Sequence, residues 1–142
     1  MQNNNENTNA FLIHICAFIG YLFPLGSIIT PLILWQTLKN RSLFLDKHGK
    51  EAVNFNISFG LYIFILSASL FSFFFGNFLN IFNEIDIDFG GHDSYNGIFG
   101  FLGIASLVSI VSLIKIALII IASMKANKGE EYHYPLTINF IK

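Results

Sequence analysis

The residues of this chain best suited to chemistry lie in two polar clusters and at one isolated lysine. The first cluster reads "DKHGKEAVNFNIS" (46–58), the second reads "KANKGEEYHYPLTINFIK" (125–142), and Lys115 stands alone inside an apolar run. The sequence contains no nucleophile–base–acid set, no Gly-rich phosphate loop and no HExxH motif. It therefore predicts no enzyme, no catalytic residue and no cofactor, so the polar residues must be interpreted through the elements that position them.

Those elements are long apolar segments. Of the 142 residues, 54% are hydrophobic and 12% are charged, whereas charged residues make up about a quarter of an ordinary soluble domain. Three runs, about 10–38, 52–75 and 98–124, each reach the roughly 20 apolar residues that cross about 30 Å of hydrocarbon. The sequence predicts an all-α integral membrane protein with three transmembrane helices, forming one membrane domain (10–142) after a polar tail (1–9).

The positive charges of the connecting segments predict an orientation. Segment 39–51 has four Lys or Arg and segment 125–142 has three, while the amino-terminal tail and segment 76–97 have none. Positive charge collects on the cytoplasmic side of a membrane. We therefore expect a cytoplasmic loop 39–51 and tail 125–142, with the amino terminus and the acidic loop 76–97 outside.

Two features of this topology have alternatives. Pro24 and Pro31 each remove a helical hydrogen bond, so run 10–38 is either one kinked span or a hairpin of two short helices, which would give four helices. In the acidic loop, helical spacing of Phe78, Phe82, Ile85 and Phe89 suits a short interfacial helix, and an ordinary loop is the alternative.

The two polar clusters are expected to meet on the cytoplasmic side. Lys50, Asn54 and Ser58 recur at i, i+4 spacing, which places them on one face of a helix. This face is either a polar entrance or an interfacial cap that orients the helices. We call the predicted meeting the cytoplasmic collar, and its residues are His48, Lys50, Glu51, Asn54, Asn127, Glu130, Tyr134 and Pro135.

The third run contains a charge and a row of small residues. A lysine near the middle of a membrane costs about 2.5–3.5 kcal/mol on insertion scales. Lys115 is therefore either part of an ion, proton or substrate site or a side chain that extends towards the interface. Small residues allow close helix packing, which is the predicted role of Gly100, Gly103, Ser106, Ser109 and Ser112; a pore lining is the alternative.

The motifs "HGKEAVNFNIS" (48–58), "KANKGEEYHYPLTINFIK" (125–142) and "GYLFPLGSIITPLILW" (20–35) resemble a known family. They look like the small bacterial membrane proteins called domain of unknown function 4870, which are distantly similar to a membrane subunit of the chloroplast inner-envelope import translocon. The resemblance implies a multi-helix fold in the bacterial plasma (inner) membrane and no established activity. The acidic loop and Lys115 depart from that family's pattern.

Other sites receive little support. His14 and Cys16 do not share a helical face, and Asp86, Asp88, His92 and Asp93 lack the spacing of a calcium loop, so no metal site is predicted. The near-zero net charge leaves no basic face for nucleic acid. The expected partners are the lipid bilayer and other membrane proteins or further copies of the chain.

The sequence thus predicts a non-enzymatic accessory or structural subunit of a bacterial inner-membrane assembly, linked to protein translocation. The alternative is a small oligomeric channel or carrier that uses Lys115 and the polar cytoplasmic-side stripe.

Overall fold

The structure, a computed structural model, describes residues 4–23, 25–83 and 92–141, and it is helical. The elements are α1 (Asn4–Ile15), a 3₁₀ helix (Cys16–Tyr21), α2 (Gly26–Leu38), α3 (Leu43–Asn83) and α4 (His92–Asn127). An irregular tail follows α4, and no strand occurs in this part of the chain. The predicted all-α class is confirmed.

Two stretches of helix are long and apolar enough to cross a membrane: Leu43–Gly76 within α3 and Leu102–Asn127 within α4. They contain the predicted second run and most of the third. Large apolar side chains remain exposed along them, including Phe64, Phe71 and Leu113. Such surfaces suit hydrocarbon rather than water, so the chain is a membrane protein.

The first apolar run is not a single span, so the prediction of one kinked helix across 10–38 is wrong. It is divided into α1, the 3₁₀ helix and α2, of 12, 6 and 13 residues. At 1.5 Å per residue, α1 is about 18 Å long and α2 about 20 Å, so neither alone crosses about 30 Å of hydrocarbon.

The run folds back on itself as a hairpin. Ala10 and Leu38 belong to one buried cluster, although a continuous helix would place them about 42 Å apart. Gly20 allows the close approach, because a Cβ there would lie 2.5 Å from the Cβ of Ser27. Leu25, with a φ of 64°, takes the left-handed conformation at the turn. The hairpin is the alternative that the sequence left open.

The chain forms two compact units, Met1–Gly60 with Ile114–Lys142, and Leu61–Leu113. The first unit contains the cluster in which Ala10, Ile13 and Leu38 meet Leu45, Ala52 and Ala126. The second unit consists of parts of α3 and α4. Residues 84–91 lie outside the described residues, so the expected interfacial helix in the acidic loop stays a prediction; Phe78 and Phe82 are part of α3.

Local signals explain two helix ends close to the predicted collar. α3 begins at Leu43, before the expected start, because Ser42 Oγ accepts a hydrogen bond of 3.3 Å from the backbone N–H of Leu45. At the end of α4, Gly129 has a φ of 78°, and the Glu130 N–H donates to the Lys125 carbonyl. This is a glycine-terminated helix ending, and it turns the tail back towards α3.

Candidate functional site

The tail after α4 is held along the first half of α3 by polar side chains. The Asn54 amide donates to the Ile141 carbonyl and its oxygen accepts from the Ile141 N–H, both at 2.9 Å. Ser58 Oγ accepts from the Ile138 N–H at 2.9 Å. The tail has no strand or helix partner for its backbone, so these side chains satisfy backbone groups that would otherwise be unpaired.

Carboxylates make the next contacts between the tail and α3. Glu51 Oε2 accepts from the Tyr134 N–H at 3.3 Å, and Glu51 Oε1 lies 2.6 Å from His133 Nδ1. Lys47 Nζ pairs with Glu131 Oε1 at 2.7 Å, and this pairing lowers the pKa of the Glu131 carboxyl. Both partners of this last pair are exposed, and such pairs contribute less than about 1 kcal/mol.

A buried chain of three side chains lies beneath these contacts. The Tyr134 hydroxyl is 3.0 Å from His14 Nδ1, and His14 Nε2 is 2.8 Å from His48 Nδ1. All three residues are at most 6% exposed. Phe55 stacks on Tyr134 with ring centroids 3.8 Å apart, and Phe44 packs edge-on against His48. α1, α3 and the tail each contribute one member of the chain.

The direction of the hydrogen bonds follows from counting donors. Burial raises the pKa of Tyr134, so its hydroxyl keeps its proton and needs an acceptor, which only His14 Nδ1 supplies among the described groups. Burial, and secondarily the neighbouring His48, lowers the pKa of His14 to about 3, so His14 is neutral. Its other nitrogen, Nε2, then carries the hydrogen and donates to His48 Nδ1. The remaining hydrogen of a neutral His48 therefore lies on Nε2.

A cavity of about 230 Å³ opens beside this chain, and its lining includes Lys47, His48, Lys50, Glu51 and Glu131. Glu51 and Glu131 are engaged as described above, and Lys50 Nζ pairs with Asp46 Oδ2 at 2.7 Å. The buried His48 Nε2 has no hydrogen-bond partner of normal geometry among the described groups, although the Glu130 carbonyl also interacts with the ring. A carbonyl can only accept, which agrees with a hydrogen on Nε2.

The structure places the other predicted collar residues away from this packed region. Asn127 is exposed at the end of α4, and Pro135 is exposed in the tail. The Glu130 carboxylate pairs with Lys125 at 3.6 Å, and only its backbone carbonyl interacts with α3, at His48. Of the eight residues, Glu51, Asn54 and Tyr134 form direct contacts between the two segments, His48 reaches Tyr134 through His14, and Lys50 lines the cavity.

Sequence reasoning missed the contacts of His14, Trp35 and Gly49. The Trp35 indole N–H donates to Asp46 Oδ1 at 2.9 Å. Its ring packs so closely on Gly49 that a Cβ there would collide with it. His14 was visible as a polar residue in an apolar run, but its partners lie 34 and 120 positions away.

Lys115 and the small residues of α4 do not join the site. Lys115 is 7% exposed, and its ammonium has no ion-pair or hydrogen-bond partner among the described residues. The hydroxyls of Ser106, Ser109 and Ser112 donate to carbonyls of their own helix, and a Cβ at Gly103 would meet open space. The role in helix packing of the five small residues, Gly100, Gly103, Ser106, Ser109 and Ser112, stays a prediction.

The described residues include no group of three His, Cys, Asp or Glu side chains that could hold a metal ion. Asp86 and Asp88 of the acidic loop lie outside the described residues. Cys16 is a free cysteine whose thiol donates to the Ile13 carbonyl, and burial raises its pKa to about 11. It is therefore a weak nucleophile at neutral pH.

A family model described as "Magnetosome magnetite crystal formation protein family" matches residues 5–141. A search of curated proteins finds no match, and neither does a search of solved structures. The match corrects two predictions. The resemblance to domain of unknown function 4870 and to the chloroplast translocon subunit is wrong. The predicted role in protein translocation, with its channel or carrier alternative, is also wrong, because the matched family is concerned with magnetite crystals.

Proposed function

The chain belongs to the magnetosome magnetite crystal formation protein family, and from this premise we propose that it is a non-enzymatic protein of the magnetosome membrane with a part in forming the magnetite crystal. One observation carries the proposal: the family model extends over residues 5–141 of the 142. The long apolar stretches of α3 and α4 support the membrane location. The absence of a reactive constellation from the sequence supports a role other than catalysis.

The proposed orientation differs from the expected one at the amino terminus. His14 of α1 contacts His48 near the start of α3 and Tyr134 of the tail. Segments 39–51 and 125–142 contain seven of the eight Lys and Arg residues, since Lys115 is the eighth. The positive charges favour the cytoplasm for these segments, and α1 accompanies them through its contacts. Both ends of the chain are then cytoplasmic, and residues between the two long stretches lie on the opposite side.

This orientation places the acidic segment where a crystal would grow. Residues 76–97 contain four of the nine carboxylates and neither Lys nor Arg. We propose that the crystal forms on this side of the membrane, away from the cytoplasm. Carboxylate oxygens are hard ligands, and clustered negative charge raises the local concentration of cations such as iron. We propose that this segment attracts iron cations to the membrane surface.

Cysteine labelling tests the orientation. With a membrane-impermeant maleimide applied to the cytoplasmic face of isolated magnetosomes, cysteines replacing Asn3, Ser42 and Asn127 should react, and one replacing Ser94 should react only after detergent is added. Because the Cys16 thiol has a raised pKa, the native background should be low, and a Cys16→Ala host removes it. Protection of the cysteine at position 3 would contradict the proposed cytoplasmic location of the amino terminus.

Crystal size in cells tests the function. In a magnetite-forming bacterium that lacks the protein, expression of the natural chain should restore the crystal diameter measured by electron microscopy. A chain with Glu84→Gln, Asp86→Asn, Asp88→Asn and Asp93→Asn should reach the membrane and fail to restore it. A matched control neutralises three other carboxylates, Glu6, Glu130 and Glu131, and should behave like the natural chain. Unchanged crystals in the strain without the protein would overturn the proposed function.

A further inference from the structure

The cavity beside the buried histidine chain has the size and lining of a small binding site. Its volume is about 230 Å³, whereas one water molecule needs roughly 10–15 Å³ of such space, so a polyatomic group fits. The lining residues come from 47–54 and from the tail, which belong to one compact unit. The lining residues include two lysines, two glutamates and two histidines.

His48 provides the observation that points to a ligand. The residue is 1% exposed and lines the cavity. Its Nδ1 is occupied by His14, and its Nε2 forms no hydrogen bond of normal geometry among the described groups, although the Glu130 carbonyl interacts with the ring. A buried donor without a good acceptor is costly, by about 1–3 kcal/mol in general. A ligand oxygen at this position would satisfy the donor.

The hydrogen-bond chain selects an acceptor and disfavours a metal ion. A metal ion on His48 Nε2 needs its lone pair, which requires the hydrogen to move to Nδ1 and every bond in the chain to reverse. The Tyr134 hydroxyl would then lose the acceptor that His14 Nδ1 provides. The described residues also lack a three-ligand metal cluster. A ligand oxygen that accepts a hydrogen bond from His48 Nε2 leaves the directions of the hydrogen bonds between Tyr134, His14 and His48 unchanged.

The two lysines and two glutamates of the lining balance in charge, so a negative acceptor is favoured where the lysines turn to it from their present partners. Lys47 and Lys50 both line the cavity. The pair of Lys47 with Glu131 is exposed and exchanges at little cost, whereas Asp46, the partner of Lys50, is 21% exposed and keeps its hydrogen bond from Trp35 when Lys50 turns away. Glu51 also lines the cavity and would repel a negatively charged ligand. Its carboxylate accepts a hydrogen bond from the Tyr134 N–H and contacts His133, and these contacts offset part of that repulsion. The Glu131 carboxylate would also repel such a ligand, but its side chain is exposed, so water screens its charge.

We propose that this cavity binds a phosphate group, with the His48 Nε2–H donating to one oxygen and the ammonium groups of Lys47 and Lys50 neutralising its charge. The cavity lies at the polar end of α3, immediately before its apolar stretch from Ala52. A phospholipid headgroup and a free phosphate ion share the required chemistry. The inference goes beyond the proposed function and does not depend on it, since it can be tested without iron or magnetite.

The test uses the full chain purified in an uncharged detergent. Inorganic phosphate is titrated while the imidazole N–H signals are followed by ¹⁵N NMR. In a second arm, the protein is placed in nanodiscs of phosphatidylcholine alone or with one-fifth phosphatidylglycerol, and retained lipid is identified by native mass spectrometry. The variant is Lys47→Met with Lys50→Met, and the matched control is Lys128→Met, which removes an exposed lysine outside the cavity lining.

Phosphate should bind at one site, move the His48 Nε2–H signal and lose affinity at least about tenfold in the double variant but not in the control, since each lysine supplies a charge-assisted hydrogen bond. Retention of one phosphatidylglycerol per chain, lost in the double variant, would support the same site with a lipid as its source. The proposal fails if neither probe distinguishes the double variant from Lys128→Met. It also fails if zinc displaces the His48 Nε2 hydrogen of the natural protein at neutral pH, because the hydrogen bonds between Tyr134, His14 and His48 would then run in the opposite direction.

Discussion

Replacing Gly49 with alanine is expected to lower the free energy of unfolding by about 3 kcal/mol, although alanine is the better helix former by about 1 kcal/mol. Gly49 lies in α3 against the Trp35 ring, and an added Cβ would collide with three atoms of that side chain. Trp35 is 6% exposed and its indole N–H is held by Asp46, so the ring cannot move aside without losing both packing and a hydrogen bond. The thermal midpoint in detergent measures the effect.

The same substitution elsewhere in α3 provides the control. A Cβ at Gly60 would meet only the Ile28 side chain, at an ordinary contact distance of 3.6 Å. Gly60→Ala should therefore leave the midpoint unchanged or raise it slightly through helix propensity. Equal midpoints for the two variants would show that α2 does not pack on Gly49 in solution.

Tyr134→Ala should cost about 3–5 kcal/mol, the usual range for removing a large buried aromatic side chain. The residue is 6% exposed, stacks on Phe55 and hydrogen-bonds to His14. Its removal leaves a void between α1, α3 and the tail and takes a buried partner from His14. Loss of the folded protein during size-exclusion chromatography, or a greatly lowered midpoint, is the expected observation.

Two further variants separate packing from hydrogen bonding. Tyr134→Phe keeps the stacked ring and removes only the hydroxyl, so it should cost about 1–3 kcal/mol. Phe140→Ala removes an aromatic side chain from the same tail at a position that is 50% exposed and should have a small effect. If Tyr134→Ala were no more harmful than Phe140→Ala, the tail would not be docked in solution as described.

The parts of the fold that follow from local signals could be predicted from the sequence. The apolar runs 52–75 and 98–124 identify stretches of α3 and α4, because hydropathy and length alone define a spanning helix. Gly129 identifies the end of α4, since few other residues take a positive φ at low cost. The division of run 10–38 could not be decided, because proline permits either a kink or a turn and only packing against Leu45 and Ala126 selects between them.

The candidate site was predictable only in part, and the reason is sequence separation. The motifs that contain Glu51 and Tyr134 were expected to meet because both were assigned to the cytoplasmic side. The individual partners were not foreseeable, since Glu51 binds the backbone N–H of Tyr134 rather than a cation. His14 and Tyr134 lie 120 positions apart, and nothing in a single sequence pairs two such residues.

The same contacts explain why the motif resemblance misled. Gly49 allows Trp35 to approach, Glu51 fixes the Tyr134 backbone, and Asn54 fixes Ile141. These residues hold a packing arrangement together. A motif made of such residues indicates how the helices and the tail pack together. It does not indicate the function, because proteins that share a fold can have different functional sites.

The docking of the tail on α3 has a consequence for biosynthesis. Residues 134–141 are translated after every element that they hold together, so the nascent chain cannot satisfy Asn54, Ser58 or the His14 pair while those residues enter the membrane. At 5–20 residues per second, roughly four seconds or more separate synthesis of Asn54 from that of its partner Ile141, which is 87 positions later. During that interval the side-chain amide of Asn54 lacks the backbone partners that it has in the folded chain. Docking of residues 134–141 on α3 is therefore expected to be a late step in the folding of this unit.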